Sequence, residues 1–222
     1  AYNAKAMGIR HYVSQYMLNT PPDMTPKMDL AKMLAKIEMI EELHDEKFIS
    51  FRQIRTGLRS ISCNSERAKG QLLASVTIGM SLKPHIVHVV GYCEADHAAT
   101  AKEIIESCSM VRGAINLAKY DLPNVEYDPL IRKRKNQLIK EAKLIIDAIK
   151  HLGNNDKDPL IDPAVLAKAV KIGILDAPHL QGSGVAPGNV VTMPVNGAYM
   201  AIDPKTGKTL SEQKRLRYIL ND

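Results

Sequence analysis

An apolar run leads directly into ionisable side chains in the segment HIVHVVGYCEADHAAT, residues 85–100. Three valines between residues 87 and 90 favour a buried β-strand. A thiol, two carboxylates and an imidazole follow at once: Cys93, Glu94, Asp96 and His97. Such a strand either delivers side chains to a binding site or precedes an ordinary solvated loop, and the flanking sequence distinguishes the two.

Two further strand patterns precede this one, GIRHYVSQYMLN at 8–19 and FISFRQIRTG at 48–57. Each of the three is followed by a helical pattern. The first helix carries an apolar stripe after Thr25, a candidate N-cap, and Pro26, a favoured first helical residue. The third helix opens with the capping box TAKE at 100–103 and is predicted to run to about Leu117.

Consecutive strand–helix units predict an α/β fold with parallel strands and right-handed crossovers. The strand–helix region is expected to span 1–123. A long amphipathic helix is expected within 124–153, between the pair Asp128-Pro129 and Gly153. A linker, a short helix and a β-hairpin around Asn196-Gly197 are predicted for 154–222.

Ligands of such folds bind at the carboxyl ends of the strands, so the side chains there are candidate site residues. Gln15 and Tyr16 near the end of the first strand could orient a polar substrate, or could simply be half-buried strand residues. Arg52 and Arg55 on the second strand should point to opposite faces, so we expect only one of them to bind a carboxylate or phosphate. The alternative for either arginine is an ion pair with a helix acid.

The loop after the third strand offers hydrogen-bonding carboxylates. Glu94, nearest to the strand end, is the stronger candidate for binding hydroxyls or amines. Asp96 and His97 could equally be a helix-start acid and a surface residue. These three residues do not match zinc-ligand spacing, so no metal site is predicted.

A formal charge of +6 makes nucleic acid a partner to consider, but aromatic residues are only 5% and Trp is absent. The densest basic run, at 131–143, lies on a helical pattern, so a solvated helix face is the favoured interpretation. The alternative function is a non-catalytic scaffold whose basic helix, residues 129–152, binds an acidic partner or nucleic acid.

Three cysteines without paired spacing predict reduced thiols and a cytoplasmic protein rather than a disulfide framework. No apolar stretch approaches the roughly 20 residues that span a bilayer, so no membrane association is expected.

The segments AKAMGIRHYVSQYMLNTPPDMTPKMDLAKMLAKIEMIEEL, RQIRTGLRS and KPHIVHVVGYCEADHAAT resemble the large, barrel-bearing component of ornithine aminomutases. More distantly, the chain is similar to the barrel subunits of lysine aminomutase and glutamate mutase. The resemblance extends to about residue 150 and is weaker in the tail.

The resemblance implies the carboxyl-terminal part of a TIM-type (β/α) barrel with an appended long helix and a small helix and hairpin extension. It implies radical 1,2-migration of the terminal amino group of ornithine or a similar diamino acid, with adenosylcobalamin and pyridoxal 5'-phosphate as cofactors. Both would be anchored mainly by a Rossmann-like domain. The expected partners are that domain, the remaining barrel strands and a small accessory subunit.

Residue by residue, Glu94 matches the glutamate that lies against the adenosyl ribose. Arg55, or less well Arg52, matches the arginine that holds the substrate carboxylate. Asp96 and His97 neighbour the implied cofactor region, and Gln15 and Tyr16 neighbour the substrate. The sequence carries no cobalamin-ligating signature and no lysine assignable to pyridoxal phosphate, so the chain alone is expected to be an inactive portion of the enzyme.

Overall fold

The computed structural model describes residues 1–154 and 157–220. The chain forms two compact units. The first consists of Ala1 and Ile9–Lys135, and the second of Tyr2–Gly8 and the described part of Asn136–Asp222. The boundary falls inside the long helix α5 defined below.

Helix α1 (Tyr2–Ala6) belongs to the second unit. The first unit alternates strands and helices as the sequence predicts. Its elements in chain order are β1 (His11–Leu18), α2 (Pro26–Glu41), β2 (Ile49–Thr56), α3 (Ser65–Met80), β3 (Ile86–His88) and α4 (Ala101–Ala118). Helix α5 (Pro129–Leu152) begins in the first unit and continues into the second.

The three strands form one parallel sheet in the order β1-β2-β3, which confirms the predicted parallel arrangement. Strands β1 and β2 pair along their whole length, from His11 opposite Ile49 to Leu18 opposite Thr56. Strand β3 is shorter than the apolar run suggested, because Val90 and the residues after it turn into a buried cluster between α3 and α4 instead of pairing with β2.

The sheet has one face covered by helices and one open face. Tyr16 and Leu18 of β1 and Ile54 of β2 pack against α2 in a buried core. Because side chains alternate along a strand, the neighbouring residues point the other way. We call this second surface the open face; its residues are Val13, Gln15, Met17, Ile49, Phe51, Gln53, Arg55, Ile86 and His88.

The predicted helix starts are confirmed with one difference. Thr100 accepts from the backbone N–H of Glu103 and the Glu103 side chain accepts from Thr100 N–H, so the capping box is present. Pro26 is the first residue of α2, but the Thr25 side chain makes no capping hydrogen bond. Helix α5 starts and ends where the Asp-Pro pair and Gly153 indicate.

The second unit contains the predicted short helix and hairpin. These are α6 (Pro163–Lys171) and the antiparallel pair β4 (Val191–Val195) and β5 (Ala198–Ile202). Asn196 and Gly197 both have positive φ in the turn, as a tight hairpin requires. Part of the expected polar linker, residues 155–156, lies outside the described residues.

Helix α7 (Glu212–Leu220) was not predicted. Leu216 is its one buried residue among those described, so it lacks the broad apolar stripe that marks a helix in a sequence. Leu216 and Ile219 pack in the core of the second unit, and Arg215 donates to the carbonyl oxygens of Gly173 and Ile174 at 2.7 and 2.8 Å.

Within residues 1–154 and 157–220, no helix combines the length and the apolar character that crossing a membrane would require.

Gly57, directly after β2, is required by the packing of the strand ends. A Cβ at this position would lie 1.8 Å from Thr20 Oγ1 and 2.6 Å from the carbonyl oxygen of Leu18. The backbone N–H of Gly57 also donates to that carbonyl at 2.8 Å. The ends of β1 and β2 therefore meet too closely for any side chain.

We expect Gly57→Ala to lower the free energy of unfolding by about 1 to 3 kcal/mol, the usual cost of overpacking. Urea denaturation measures the change. The matched control is Gly70→Ala in α3, where a Cβ meets nothing within 4 Å. This control should stabilise the helix by up to about 1 kcal/mol. Equal effects of the two substitutions would contradict the packing described for Gly57.

Candidate functional site

The carboxyl ends of β1 and β2 are held by a polar network around Asn19. Its backbone N–H donates to Asp29 Oδ2 at 2.6 Å, and its side-chain Nδ2 donates to Ser75 Oγ at 2.7 Å. The hydroxyl of Ser60 donates to the Asn19 carbonyl. Asp29 is buried and also pairs with Lys32 at 2.6 Å. This network fixes the edge of the sheet from which the candidate side chains project.

Polar side chains occupy the half of the open face nearest this edge. Gln53 Nε2 donates to Gln15 Oε1 at 3.1 Å and lies 3.4 Å from Nδ1 of His88. Arg55, one step further along β2, is paired in register with Met17 and His88. The structure thus brings Gln15 and Arg55 to one surface, together with Gln53 and His88. Neither of the last two was among the predicted site residues, although the alternation of β2 could have indicated Gln53.

Arg52 lies on the helix-covered face and is fully engaged there. Its guanidinium makes two hydrogen bonds to the Glu41 carboxylate, at 2.7 and 2.9 Å, and a third to the Leu82 carbonyl at 2.8 Å. The hydrogen bond from Arg52 lowers the pKa of Glu41, and the reciprocal bond raises the pKa of Arg52. Arg52 therefore matches the alternative stated for it, an ion pair with a helix acid.

Arg55 differs from Arg52 in its hydrogen bonding. Its Nε is buried and makes no hydrogen bond within residues 1–154 and 157–220. A buried donor without a partner costs about 1 to 3 kcal/mol. Of the two arginines, Arg55 alone is placed to offer hydrogen bonds to a ligand.

Tyr16 does not reach the open face. Its side chain is 1% exposed and belongs to the core between the sheet and α2. Burial raises the pKa of its hydroxyl. The interpretation of Tyr16 as a substrate contact is therefore corrected: its strand position points it toward the helices, because it is one residue out of phase with Gln15.

The loop after β3 forms a single helical turn. The backbone N–H groups of Asp96 and His97 both donate to the Cys93 carbonyl, at 2.8 and 3.0 Å. The exposed Glu94 side chain folds back, and its Oε1 accepts from the Gly91 N–H at 2.6 Å. One carboxylate oxygen of Glu94 is thereby fixed, which orients the other.

His97 is held between two carboxylates. Its Nδ1 lies 2.9 Å from Asp96 Oδ2, and its Nε2 lies 2.9 Å from Glu103 Oε1. The hydrogen bonds that His97 makes to the Asp96 and Glu103 carboxylates raise the pKa of His97. Hydrogen bonds from Thr100 and then from His97 lower the pKa of Glu103 to about 2. The His97 side chain therefore makes its hydrogen bonds within the chain, to Asp96 and to Glu103 of α4.

Three side chains around this loop carry atoms that could bind a metal ion. The buried Cys93 thiol, His97 and Glu103 each offer an atom, and these atoms lie within 4.8 Å of one another. Burial raises the pKa of the Cys93 thiol. Glu94, Asp96 and His97 together lack zinc-ligand spacing, whereas the structure places His97 beside Cys93 and beside Glu103 of the capping box.

The second unit contains a cavity of about 630 Å³ between the hairpin, α7 and the segment that follows α6. Asp176 lines it, but both of its carboxylate oxygens accept backbone N–H groups, from Ala177, Gly188 and Asn189 at 2.8 to 3.0 Å. None of the predicted site residues lies there.

No protein-family model matches the chain, and no curated protein matches it.

We expect Arg52→Ala to lower the free energy of unfolding by about 1 to 3 kcal/mol, the range for hydrogen bonds to charged groups. Arg55→Ala should leave it unchanged or raise it by up to about 3 kcal/mol, because the substitution removes a buried donor, Arg55 Nε, that has no partner. Urea denaturation of the two variants beside the parent protein measures both values. A larger loss for Arg55→Ala would mean that the two arginines have been assigned to the wrong faces.

The Arg52→Ala effect should also depend on pH. The folded-state pKa of Glu41 lies below its ordinary value of 4.5. The pair therefore stabilises fully above pH 4.5, and its contribution is lost as the pH falls through the lower folded-state pKa. The stability difference between parent and Arg52→Ala should shrink in acid without vanishing, because the bond to the Leu82 carbonyl persists. A difference that grows in acid would contradict this assignment.

Proposed function

We propose that the three strand–helix units form part of the wall of a (β/α) barrel in an aminomutase. This enzyme would use adenosylcobalamin and pyridoxal phosphate to move the terminal amino group of ornithine, or a similar diamino acid, to the neighbouring carbon. The open face would be the barrel interior.

The observation that supports the proposal most strongly is the missing hydrogen bond of Arg55. Its Nε is a buried donor without a hydrogen bond among the described residues, while Arg52 on the opposite face has three. A planar guanidinium pairs with a carboxylate through two parallel hydrogen bonds. The α-carboxylate of an amino acid would satisfy the unpaired donor.

The character of the open face supports a barrel interior. Toward the amino ends of β1 and β2 it is apolar and partly exposed, with Val13 46% and Ile49 41% accessible. Toward the carboxyl ends it becomes polar, with Gln15, Gln53 and Arg55. Barrel enzymes fill the lower interior with apolar side chains and place the site at the carboxyl ends of the strands.

The edges of the sheet support the same proposal. Within residues 1–154 and 157–220, β1 and β3 each pair only with β2. Strand β1 therefore presents one side of an eight-residue strand without pairing in this chain. Exposed strand edges of this length are normally paired or covered, and neighbouring barrel strands would pair both edges.

Glu94 fits the contact with adenosylcobalamin that the resemblance implies. Its side chain is exposed at the carboxyl end of β3, and the Gly91 N–H holds one of its oxygens. The other oxygen could accept from a ribose hydroxyl. When bound, adenosylcobalamin supplies the radical and pyridoxal phosphate the activation of the amino group.

The open face as defined contains no lysine, so pyridoxal phosphate would be anchored by a separate domain. The role of this chain would be to hold the substrate carboxylate through Arg55, to orient the substrate through the Gln15–Gln53 pair and to exclude water.

In the assembled enzyme, Arg55→Ala should raise KM for ornithine about 30-fold or more, because losing a buried charged hydrogen-bond pair costs at least about 2 kcal/mol. Arg55→Lys should recover part of this loss. Arg52→Ala serves as the matched control and should leave KM nearly unchanged at a temperature where the variant is folded. If Arg52→Ala raised KM and Arg55→Ala did not, the proposed interior would be the wrong face of the sheet.

Glu94→Gln should lower kcat with little change in the affinity for pyridoxal phosphate, because the amide loses the charge that strengthens a hydrogen bond to the ribose. Turnover and spectroscopic titration of the phosphate cofactor would be measured on the same protein. Glu46→Gln, an exposed change in the loop before β2, is the control. Unchanged turnover of Glu94→Gln would remove Glu94 from the site.

A further inference from the structure

We propose that Cys93, His97 and Glu103 form a binding site for Zn²⁺, a feature independent of the aminomutase activity proposed above. The three residues lie in the loop after β3 and in the first turn of α4. Their donor atoms are a sulfur, an imidazole nitrogen and a carboxylate oxygen, all within 4.8 Å of one another.

The local backbone brings the three donors together. The His97 N–H donates to the Cys93 carbonyl at 3.0 Å, so the two residues stand one helical turn apart and on the same side of that turn. Glu103 is the third residue of α4, and its capping bond to Thr100 turns its side chain back toward the loop. The spacing Cys-x3-His-x5-Glu is thus set by one turn and one helix cap.

A carboxylate that would orient the histidine ligand is already in place. Histidine ligands of zinc usually donate their other ring N–H to a carboxylate. Here Nδ1 of His97 lies 2.9 Å from Asp96 Oδ2, which leaves Nε2 to face Glu103 and Cys93. Glu103 Oε2 accepts from the backbone and hydroxyl of Thr100 at 2.8 and 2.7 Å, which leaves Oε1 for the metal.

The donor set selects the ion. Mg²⁺ and Ca²⁺ prefer all-oxygen shells, whereas a thiolate with an imidazole favours a borderline-soft cation. Zinc commonly takes three protein ligands of these types with water in the fourth position. Because the side chain of His97 is 48% exposed, water can reach that position.

The present geometry needs a small adjustment to bind metal. His97 Nε2 and Glu103 Oε1 lie 2.9 Å apart, at hydrogen-bond distance. Bonds of about 2.0 to 2.3 Å in a tetrahedron place two ligand atoms roughly 3.3 to 3.6 Å apart. The pair must therefore separate by less than about 1 Å, which rotation of the exposed imidazole allows.

Zinc affinity, measured by competition with a chromophoric chelator, tests the site. We expect one equivalent of Zn²⁺ per chain and a loss of about 100-fold or more for Cys93→Ser and for His97→Ala. Asp96→Asn should weaken binding about 10- to 100-fold, the range for a residue that orients a metal ligand through a hydrogen bond. Cys63→Ser and Cys108→Ser are the controls and should bind like the parent. Cys63 is a stringent control because its thiol lies close to the proposed site. Its Sγ donates to the carbonyl of Ala95, a residue of the loop after β3, at 3.5 Å.

Two measurements keep the test decisive if a variant folds poorly. Glu103→Gln preserves the capping box, which accepts Glu or Gln, yet should still weaken Zn²⁺ binding at least tenfold. Co²⁺ bound to the parent protein should show a thiolate charge-transfer band that is absent in Cys93→Ser. Absence of that band in the parent, or parent-like zinc affinity in Cys93→Ser and His97→Ala, would show that the cluster is only a hydrogen-bonded network.

Discussion

Strand β2 pairs with parallel neighbours on both sides, and this pairing sets which face of the sheet each strand side chain points to. With β2 fixed, the alternation of side chains sends Arg52 and Arg55 to opposite faces. Arg52 then meets Glu41 of α2 and stabilises the helix-covered side. Arg55 is left on the other side with an unpaired donor. The close contact at Gly57 and the Asn19 network hold the strand ends in this register.

The two arginines illustrate how stability and binding can be divided between residues of one type. Arg52 gains three hydrogen bonds within the chain, as a structural ion pair should. Arg55 keeps a buried donor that nothing in the described chain satisfies, at a cost in folding free energy. Such unsatisfied groups concentrate at functional sites, where a ligand completes the hydrogen bonds. This contrast is the physical basis for proposing the open face as a substrate surface.

Much of the first unit could be predicted from the sequence, because its signals are local. The TAKE capping box and Pro26 at a helix start each act over a few residues, and each element formed where expected. The Asn196-Gly197 turn of the second unit is a local signal of the same kind. Helix α7 was missed because it is short and has one buried residue, and because the contacts that hold it, the packing of Leu216 and the bonds of Arg215, are long-range.

The site was predictable only in part. Alternation separated Arg52 from Arg55, but sequence alone did not show which arginine faces the helices. Tyr16 was misplaced for the same reason, since the phase of a half-buried strand depends on which face the helices cover. The meeting of Cys93 with Glu103 needed the actual path of the loop, which no spacing rule supplies.

Hydrogen exchange measured residue by residue tests most directly the proposal that the sheet is an open portion of a barrel wall. In dilute solution, the amides of β2 should be protected, because β2 is paired on both sides. The β1 amides that point away from β2 should exchange rapidly and become protected only when the remaining barrel strands are supplied. Protection of those outward β1 amides in the isolated monomeric chain would contradict the account, because it would mean that the chain pairs this edge itself.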